Sequence, residues 1–250
     1  MEKDFIFGIH PVMEAVEAGK TFDKVFIQNG LLGDNVKELK IKLGKAGIRI
    51  NYVPAEKLNR LTRKNHQGVF AFLSPVQFYQ IEDVVPQLFD MGKMPFILIL
   101  DRLTDVRNFG AICRTAEIVG VDAVVIPDAG AAPVSSDSIK TSAGAVFNLK
   151  ICKEKSLPKV VEFLQHSGIQ VICATEKTEE TIYNSALLLP LAVVMGSEET
   201  GISKEILQEA DARLKLPILG KTGSLNVSVA CGVFLYEIVR QNFTTLKENS

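Results

Sequence analysis

The chain has 250 residues, 47% of them apolar and 23% charged, with a formal net charge of −1. These are the proportions of a soluble globular protein, and the length allows one large domain or two small ones. The charged start MEKDFIF does not read as a signal peptide, and the longest apolar stretch, Ala186–Met195, is broken by Pro190 and too short for a bilayer span. A cytoplasmic protein with no membrane association is expected.

Four cysteines (Cys113, Cys152, Cys173, Cys231) have apolar neighbours and no CxxC spacing, so buried free thiols are expected. Histidines 10, 66 and 166 are scattered, with no metal-ligand spacing.

In chain order, KVFIQ (Lys24–Gln28) reads as a strand. Asp34–Lys45 reads as a helix, with Val36, Leu39 and Leu43 at helical spacing. IRINYV (Ile48–Val53) is a second strand. Pro54 then opens a helix through Thr62, and GVFAFL (Gly68–Leu73) is a third strand. This makes a small α/β unit, residues 1–76. From Lys37 to Lys64 there are nine Lys or Arg and two Asp or Glu, so that segment carries +7 and the remainder −8. A basic concentration of this size suits either a phosphate backbone or a solvated helical face.

Residues 77–94, with Pro86 and Gly92, read as a linker holding a short helix near Ile81–Asp90. Residues 95–250 then form a second domain. Its apolar runs FILIL (Phe96–Leu100), AVVI (Ala123–Ile126), QVIC (Gln170–Cys173), LAVVM (Leu191–Met195) and RLKL (Arg213–Leu216) are mostly continuous, as in strands buried on both faces. Helical patterns fall at Gly110–Val119, Leu157–Ser167 and Ser203–Ala210. A long last helix is expected from about Leu225 to Gln241, with a frayed polar tail from Thr244. Such alternation predicts an open parallel α/β sheet with its ligand at the carboxyl ends of the strands.

Three segments carry more polar and glycine residues than a plain sheet needs. In DRLTDVRNFGAICRTAEIVG (Asp101–Gly120), Asn108 is a good N-cap residue, and Arg114 lies among apolar neighbours. Spacing alone favours an ion pair with Glu117, one turn on. Six residues separate Asn108 from Arg114, so the two do not share a helix face. In MGSEETGIS (Met195–Ser203), two glycines bracket Glu198 after a very apolar strand. In LPILGKTGSLNVSVA (Leu216–Ala230), Ser224 and Asn226 open a helix whose N-terminus suits an anion, though plain capping would look the same. GKT is no P-loop, because Lys215 stands where that motif needs glycine, and no GxGxxG occurs.

Taken together, NFGAICRTA, MGSEETG and LPILGKTGSLNVSVA resemble the three motifs of the SpoU, or TrmH, family of RNA ribose 2′-O-methyltransferases, over about Pro95–Asn242. FGIHPVMEAVEAG resembles the start of the L30e-like RNA-binding domain found in the RlmB type, which methylates a 23S rRNA guanosine. The resemblance implies a SPOUT-type parallel sheet with a C-terminal trefoil knot, preceded by the small L30e-like domain. It implies S-adenosylmethionine as cofactor, 23S rRNA as partner, and a homodimer with active sites at the subunit interface. Carried over by position, the catalytic set is Asn108, Arg114, Glu198, Ser224 and Asn226. Thr175, Gly196, Leu216, Ile218 and Leu225 cradle the cofactor, largely through backbone. Lys37, Lys40, Arg60, Arg63 and Lys64 are the expected RNA-docking residues, and no metal is implied.

The expected reaction is methyl transfer to a guanosine 2′-hydroxyl in the peptidyl-transferase region of 23S rRNA. The same chemistry on tRNA or another rRNA nucleotide is the alternative. A non-catalytic RNA-binding or ribosome-assembly factor is the reading from another class.

Overall fold

The computed structural model describes residues 5–248. They form two compact units, one reaching to Gln77 with Val134–Ser136, the other Phe78–Pro133 with the chain from Asp137 onward.

The first unit runs β1 (Phe5–Phe7), α1 (Ile9–Glu17), β2 (Phe22–Gln28), α2 (Asp34–Lys45), β3 (Ile50–Val53), α3 (Ala55–Leu61) and β4 (Val69–Leu73). Its sheet has the order β1-β4-β2-β3; β4 is antiparallel to both neighbours, and β2 and β3 are parallel. Periodicity left β1 and α1 without assignment. Pro11 falls in the first turn of α1, where its missing N–H costs no hydrogen bond.

Helices cover both faces of this sheet. Val12, Leu39 and Leu43 pack on Val25, Ile27, Val69 and Ala71, while Leu58 packs with Phe26, Val53 and Phe70. Strand side chains alternate between faces, so α2 and α3 lie on opposite sides. The basic segment therefore does not make one surface. Lys37 and Lys40 stand on α2, Arg60 on α3, and Arg63 and Lys64 just after it.

The second unit continues with β5 (Phe78–Tyr79), α4 (Ile81–Asp90), β6 (Phe96–Leu100), α5 (Val106–Ile118), β7 (Ala123–Pro127), α6 (Ser136–Thr141), β8 (Lys150–Glu154), α7 (Leu157–His166), β9 (Gln170–Ala174), β10 (Leu191–Met195), α8 (Lys204–Glu209), β11 (Ala212–Leu214) and α9 (Val227–Glu248). Seven strands in the order β11-β9-β10-β6-β7-β8-β5 pair in parallel throughout. β6 and β10 lie at the centre, every residue of both buried. From β6 the chain winds outward through β7 and β8, and it returns on the far side of β10. That reversal puts a topological switch point, the usual ligand crevice of an open α/β sheet, at the carboxyl ends of β6 and β10.

Several boundaries differ from expectation for identifiable reasons. The stretch 77–94 is no loose linker: β5 pairs with β8, and Ile81, Val84, Val85 and Leu88 of α4 join the core. α5 begins at Val106 because Asp105 caps it, accepting from Asn108 N at 2.7 Å; Asn108 sits inside the first turn. β11 ends at Leu214 because Lys215 turns to bridge Thr181. α9 begins at Val227, capped by Asn226 Oδ1, which accepts from Ser228 N at 3.0 Å. Residues 244–248 continue α9 past a non-helical Asn242 and are not a frayed tail; residues 249 and 250 lie outside the described residues. Asn242 is buried, holding Leu187 O at 2.6 Å and Leu189 N at 3.0 Å, and these bonds compensate the broken helix turn.

All four cysteines are free and buried. Burial pushes Cys152, Cys173 and Cys231 up to about 12, and Cys113 further, so none offers a thiolate. No described helix is long and apolar enough to cross a membrane.

Candidate active site

Three loops meet at the switch point. The first leaves β6 at Asp101, which is buried; its N donates to Met195 O at 2.8 Å and its Oδ2 accepts from Ser203 N at 2.6 Å. Arg102, in the left-handed region at φ 58°, donates from Nη2 to Gly201 O at 3.1 Å. These two residues clamp the loop that follows β10.

That second loop, residues 196–202, folds tightly on itself. Gly201 N donates to Ser197 O at 2.9 Å, and a Cβ on Gly196 would lie 2.3 Å from Gly201 C. Only glycine fits at 196, because the obstacle is backbone rather than a movable side chain. The turn holds Glu198 toward the other two loops.

Glu198 Oε1 accepts three hydrogen bonds: from Asn108 Nδ2 at 3.2 Å, Asn226 Nδ2 at 2.7 Å and Val227 N at 3.2 Å. Asn226 Nδ2 also donates to Asn108 Oδ1 at 3.0 Å. One carboxylate oxygen thus ties the start of α5 to the start of α9, where the helix dipole favours negative charge.

Beside this knot of bonds lies a cavity of about 100 Å³ whose wall includes Thr175, Met195, Leu216, Ile218, Ser224 and Leu225. Four of the five expected cofactor residues line it, and Gly196 directly follows the lining residue Met195. The enclosed space is smaller than that of a typical small-molecule site. Its outer wall is open, with Ile218 and Leu225 at 44% and 48% exposure, and the adjoining Leu219 is 99% exposed. Apolar side chains left this bare on one loop fit a wall completed by a bound molecule or a second chain.

Of the expected catalytic residues, Asn108, Glu198 and Asn226 come together, Ser224 lies on the cavity wall, and Arg114 stands apart. Arg114 is exposed and forms no hydrogen bond or ion pair among the described residues. The pair with Glu117 is not formed; Glu117 Oε1 instead accepts from Asn148 Nδ2 at 3.1 Å. Among the described residues no cluster of three or more His, Cys, Asp or Glu is placed to hold a metal. The clamp residues Asp101 and Arg102 were missed as site residues, although an acid directly after an all-apolar strand is a readable sign of a buried anchor.

Comparison with known proteins decides the family. The family described as SpoU rRNA Methylase matches residues 95–236, and one described as RNA 2′-O ribose methyltransferase substrate binding matches residues 5–79. The chain belongs to the SpoU rRNA methylase family. A SpoU relative, the Bacillus subtilis protein YacO, assigned by name to the TrmH family of tRNA/rRNA methyltransferases, is 31% identical over 96% of each chain. Two solved structures share the SpoU fold. AviRb of Streptomyces viridochromogenes, in complex with AdoMet, aligns with TM-score 0.61 at 21% identity over 96% of this chain and 90% of its own. An AdoMet-bound rRNA methyltransferase of Sinorhizobium meliloti aligns with TM-score 0.61 at 23% identity over 94% of this chain and 86% of its own. The three converging loops all fall within the matched residues 95–236.

Proposed function

We propose that this protein transfers a methyl group from S-adenosylmethionine to the 2′-hydroxyl of a guanosine in the peptidyl-transferase region of 23S rRNA, in the cytoplasm. The observation that carries the reading is the convergence on Glu198 of the β6, β10 and α9 loops beside the cavity. The cavity suits the cofactor: apolar walls from Leu216, Ile218 and Leu225, the hydroxyl of Thr175, and a glycine at 196 where backbone must approach closely. When bound, S-adenosylmethionine supplies an electrophilic methyl carbon on a sulfonium. The protein must then hold a ribose oxygen in line with it and favour loss of the hydroxyl proton.

The residues divide that work. Glu198 spends Oε1 on three donors, so its first task is to fix the amides of Asn108 and Asn226. Those amides and Ser224 orient the ribose, and the other carboxylate oxygen of Glu198, a water or a phosphate oxygen takes the proton that the hydroxyl loses. Arg114 meets the developing alkoxide or the neighbouring phosphate as a cation.

A homodimer with a C-terminal trefoil knot belongs to the same reading. Ile118, Tyr236 and Phe243, all more than half exposed, line an open groove of about 840 Å³ on α5 and α9. Apolar residues at that density on two packed helices suit a second copy of the chain. Asn108 and Arg114 lie on different faces of α5, so a partner subunit brings an Arg114 to a site its own Asn108 does not face.

RNA docking is assigned to the α3 side of the first unit. Arg60, Arg63 and Lys64 are exposed and form no ion pair among the described residues. On α2, by contrast, Lys37 faces Asp34 at 4.0 Å, and Lys40 Nζ lies 5.4 Å from the Tyr52 ring centre. Lys42, also on α2, is paired with both Glu17 and Glu38.

Incubation with methyl-labelled S-adenosylmethionine and unmodified transcripts of 23S rRNA or tRNA tests the target. Label is expected on a 23S guanosine. Label on tRNA alone would move the substrate, and label on neither would leave the assembly-factor reading. In the same assay, Arg60→Glu with Arg63→Glu is expected to raise KM for RNA at least about tenfold.

A further inference from the structure

Within one chain, helix α5 leaves one strip uncovered, whose Ile118 end lies in the groove assigned above to a second copy. On one side Gly110 abuts α6, where an added Cβ would meet Thr141 Cβ at 2.7 Å and Ser138 O at 2.9 Å. On the other side Thr115 meets α9, its Cγ2 3.9 Å from where a Cβ on Gly232 would stand. Between these contacts run Arg107, Ala111, Arg114 and Ile118, which spacings of three and four residues place on one face. Arg107, Arg114 and Ile118 are exposed, and the strip contains no acidic residue.

Arg107 is unusual within this strip. It occupies the first turn of α5, the end where a helix dipole disfavours a cation. It forms no hydrogen bond or ion pair among the described residues that would offset this. It directly precedes Asn108, whose side chain is bound to Glu198 and Asn226. A guanidinium held against the dipole, beside the reacting centre and with no internal partner, has its use in an external anion. Seven residues of helix separate the α-carbons of Arg107 and Arg114 by about 10 Å, so the two side chains reach separate anions rather than crowd one.

We propose that Arg107 binds a backbone phosphate of the RNA strand held at the active site that its own Asn108 helps to build, so that its guanidinium sets the register of that strand. The planar fork of arginine matches a phosphate in two-point contact, and lysine replaces it only as a point charge. The inference rests on the methyltransferase reading above, and its test separates the two.

The test uses the full chain, S-adenosylmethionine and unmodified 23S rRNA made by transcription in vitro. Arg107→Gln is expected to raise KM for RNA about tenfold and to lower the salt slope of RNA affinity by about one phosphate contact. Turnover at saturating RNA, cofactor affinity, melting temperature and oligomeric state should stay as in the native protein. Arg107→Lys should recover the salt slope and only part of the KM. Native KM and salt slope in Arg107→Gln would overturn the assignment while leaving the methyltransferase reading intact. A shift in oligomeric state or melting temperature would also overturn it, because Arg107 would then be a subunit or folding contact. Failure of the native chain to bind RNA at all would sink both.

Discussion

Replacing Arg114 with alanine is expected to slow methyl transfer about a thousandfold while leaving cofactor affinity and melting temperature unchanged. The separation of effects follows from the structure. Arg114 is exposed and touches no described residue through a hydrogen bond or ion pair, so its removal withdraws nothing from the folded chain. It lies outside the cavity that Thr175, Leu216, Ile218 and Leu225 line. Its contribution is confined to the reacting complex, where a guanidinium keeps its charge and steadies a forming alkoxide rather than accepting its proton. The loss should fall on kcat, since an interaction made only in the transition state lowers kcat and kcat/KM together. Single-turnover rates and calorimetric titration of the variant check this. Native turnover in Arg114→Ala would remove the residue from the catalytic set.

Gly196→Ala is expected to weaken cofactor binding about a hundredfold and to destabilise the fold by about 2 kcal/mol. The added carbon would sit 2.3 Å from Gly201 C, 2.4 Å from Ile202 N and 2.6 Å from Gly201 O. All three are backbone atoms, so the 196–202 loop itself must move. Arg102 and Asp101 hold that loop at Gly201 and Ser203, which leaves the strain few ways to dissipate. Displacing it pulls Glu198 from Asn108 and Asn226 and opens the cavity. A useful control is Gly44→Ala in the last turn of α2, where an added Cβ meets nothing within 4 Å; there alanine should raise stability by up to about 0.5 kcal/mol. Calorimetry and thermal melting read both variants. Unchanged cofactor affinity in Gly196→Ala would show that this turn is not part of the binding site.

The central strands were legible because burial on both faces leaves FILIL and LAVVM without polar interruption. β8 was not, because KICKE has charged residues at both ends and only Ile151 and Cys152 sit fully in the core at its centre. The start of α5 was misplaced because Asn108 reads as a cap, whereas Asp105 caps the helix three residues earlier. That choice matters for the site, since it releases the Asn108 side chain for Glu198. The polar residues were readable one loop at a time, but their convergence was not. Asn108 and Glu198 are 90 residues apart, and strand order rather than spacing joins them. The +7 segment shows the opposite failure. It is continuous in sequence, yet strand alternation sends its two helices to opposite faces of a sheet. The Asp101–Arg102 clamp escaped because its partners, Ser203 and Gly201, lie 102 and 99 residues further along the chain.

The measurement that bears most directly on the three-loop site is the position of the transferred methyl. RNA incubated with the protein and labelled S-adenosylmethionine would be digested to nucleosides and analysed by mass spectrometry. A site that sets a ribose oxygen against the donor predicts label on a 2′-O-methyl ribose, absent when Asn226 is replaced by alanine. Label on a base, or no label with intact cofactor binding, would contradict it.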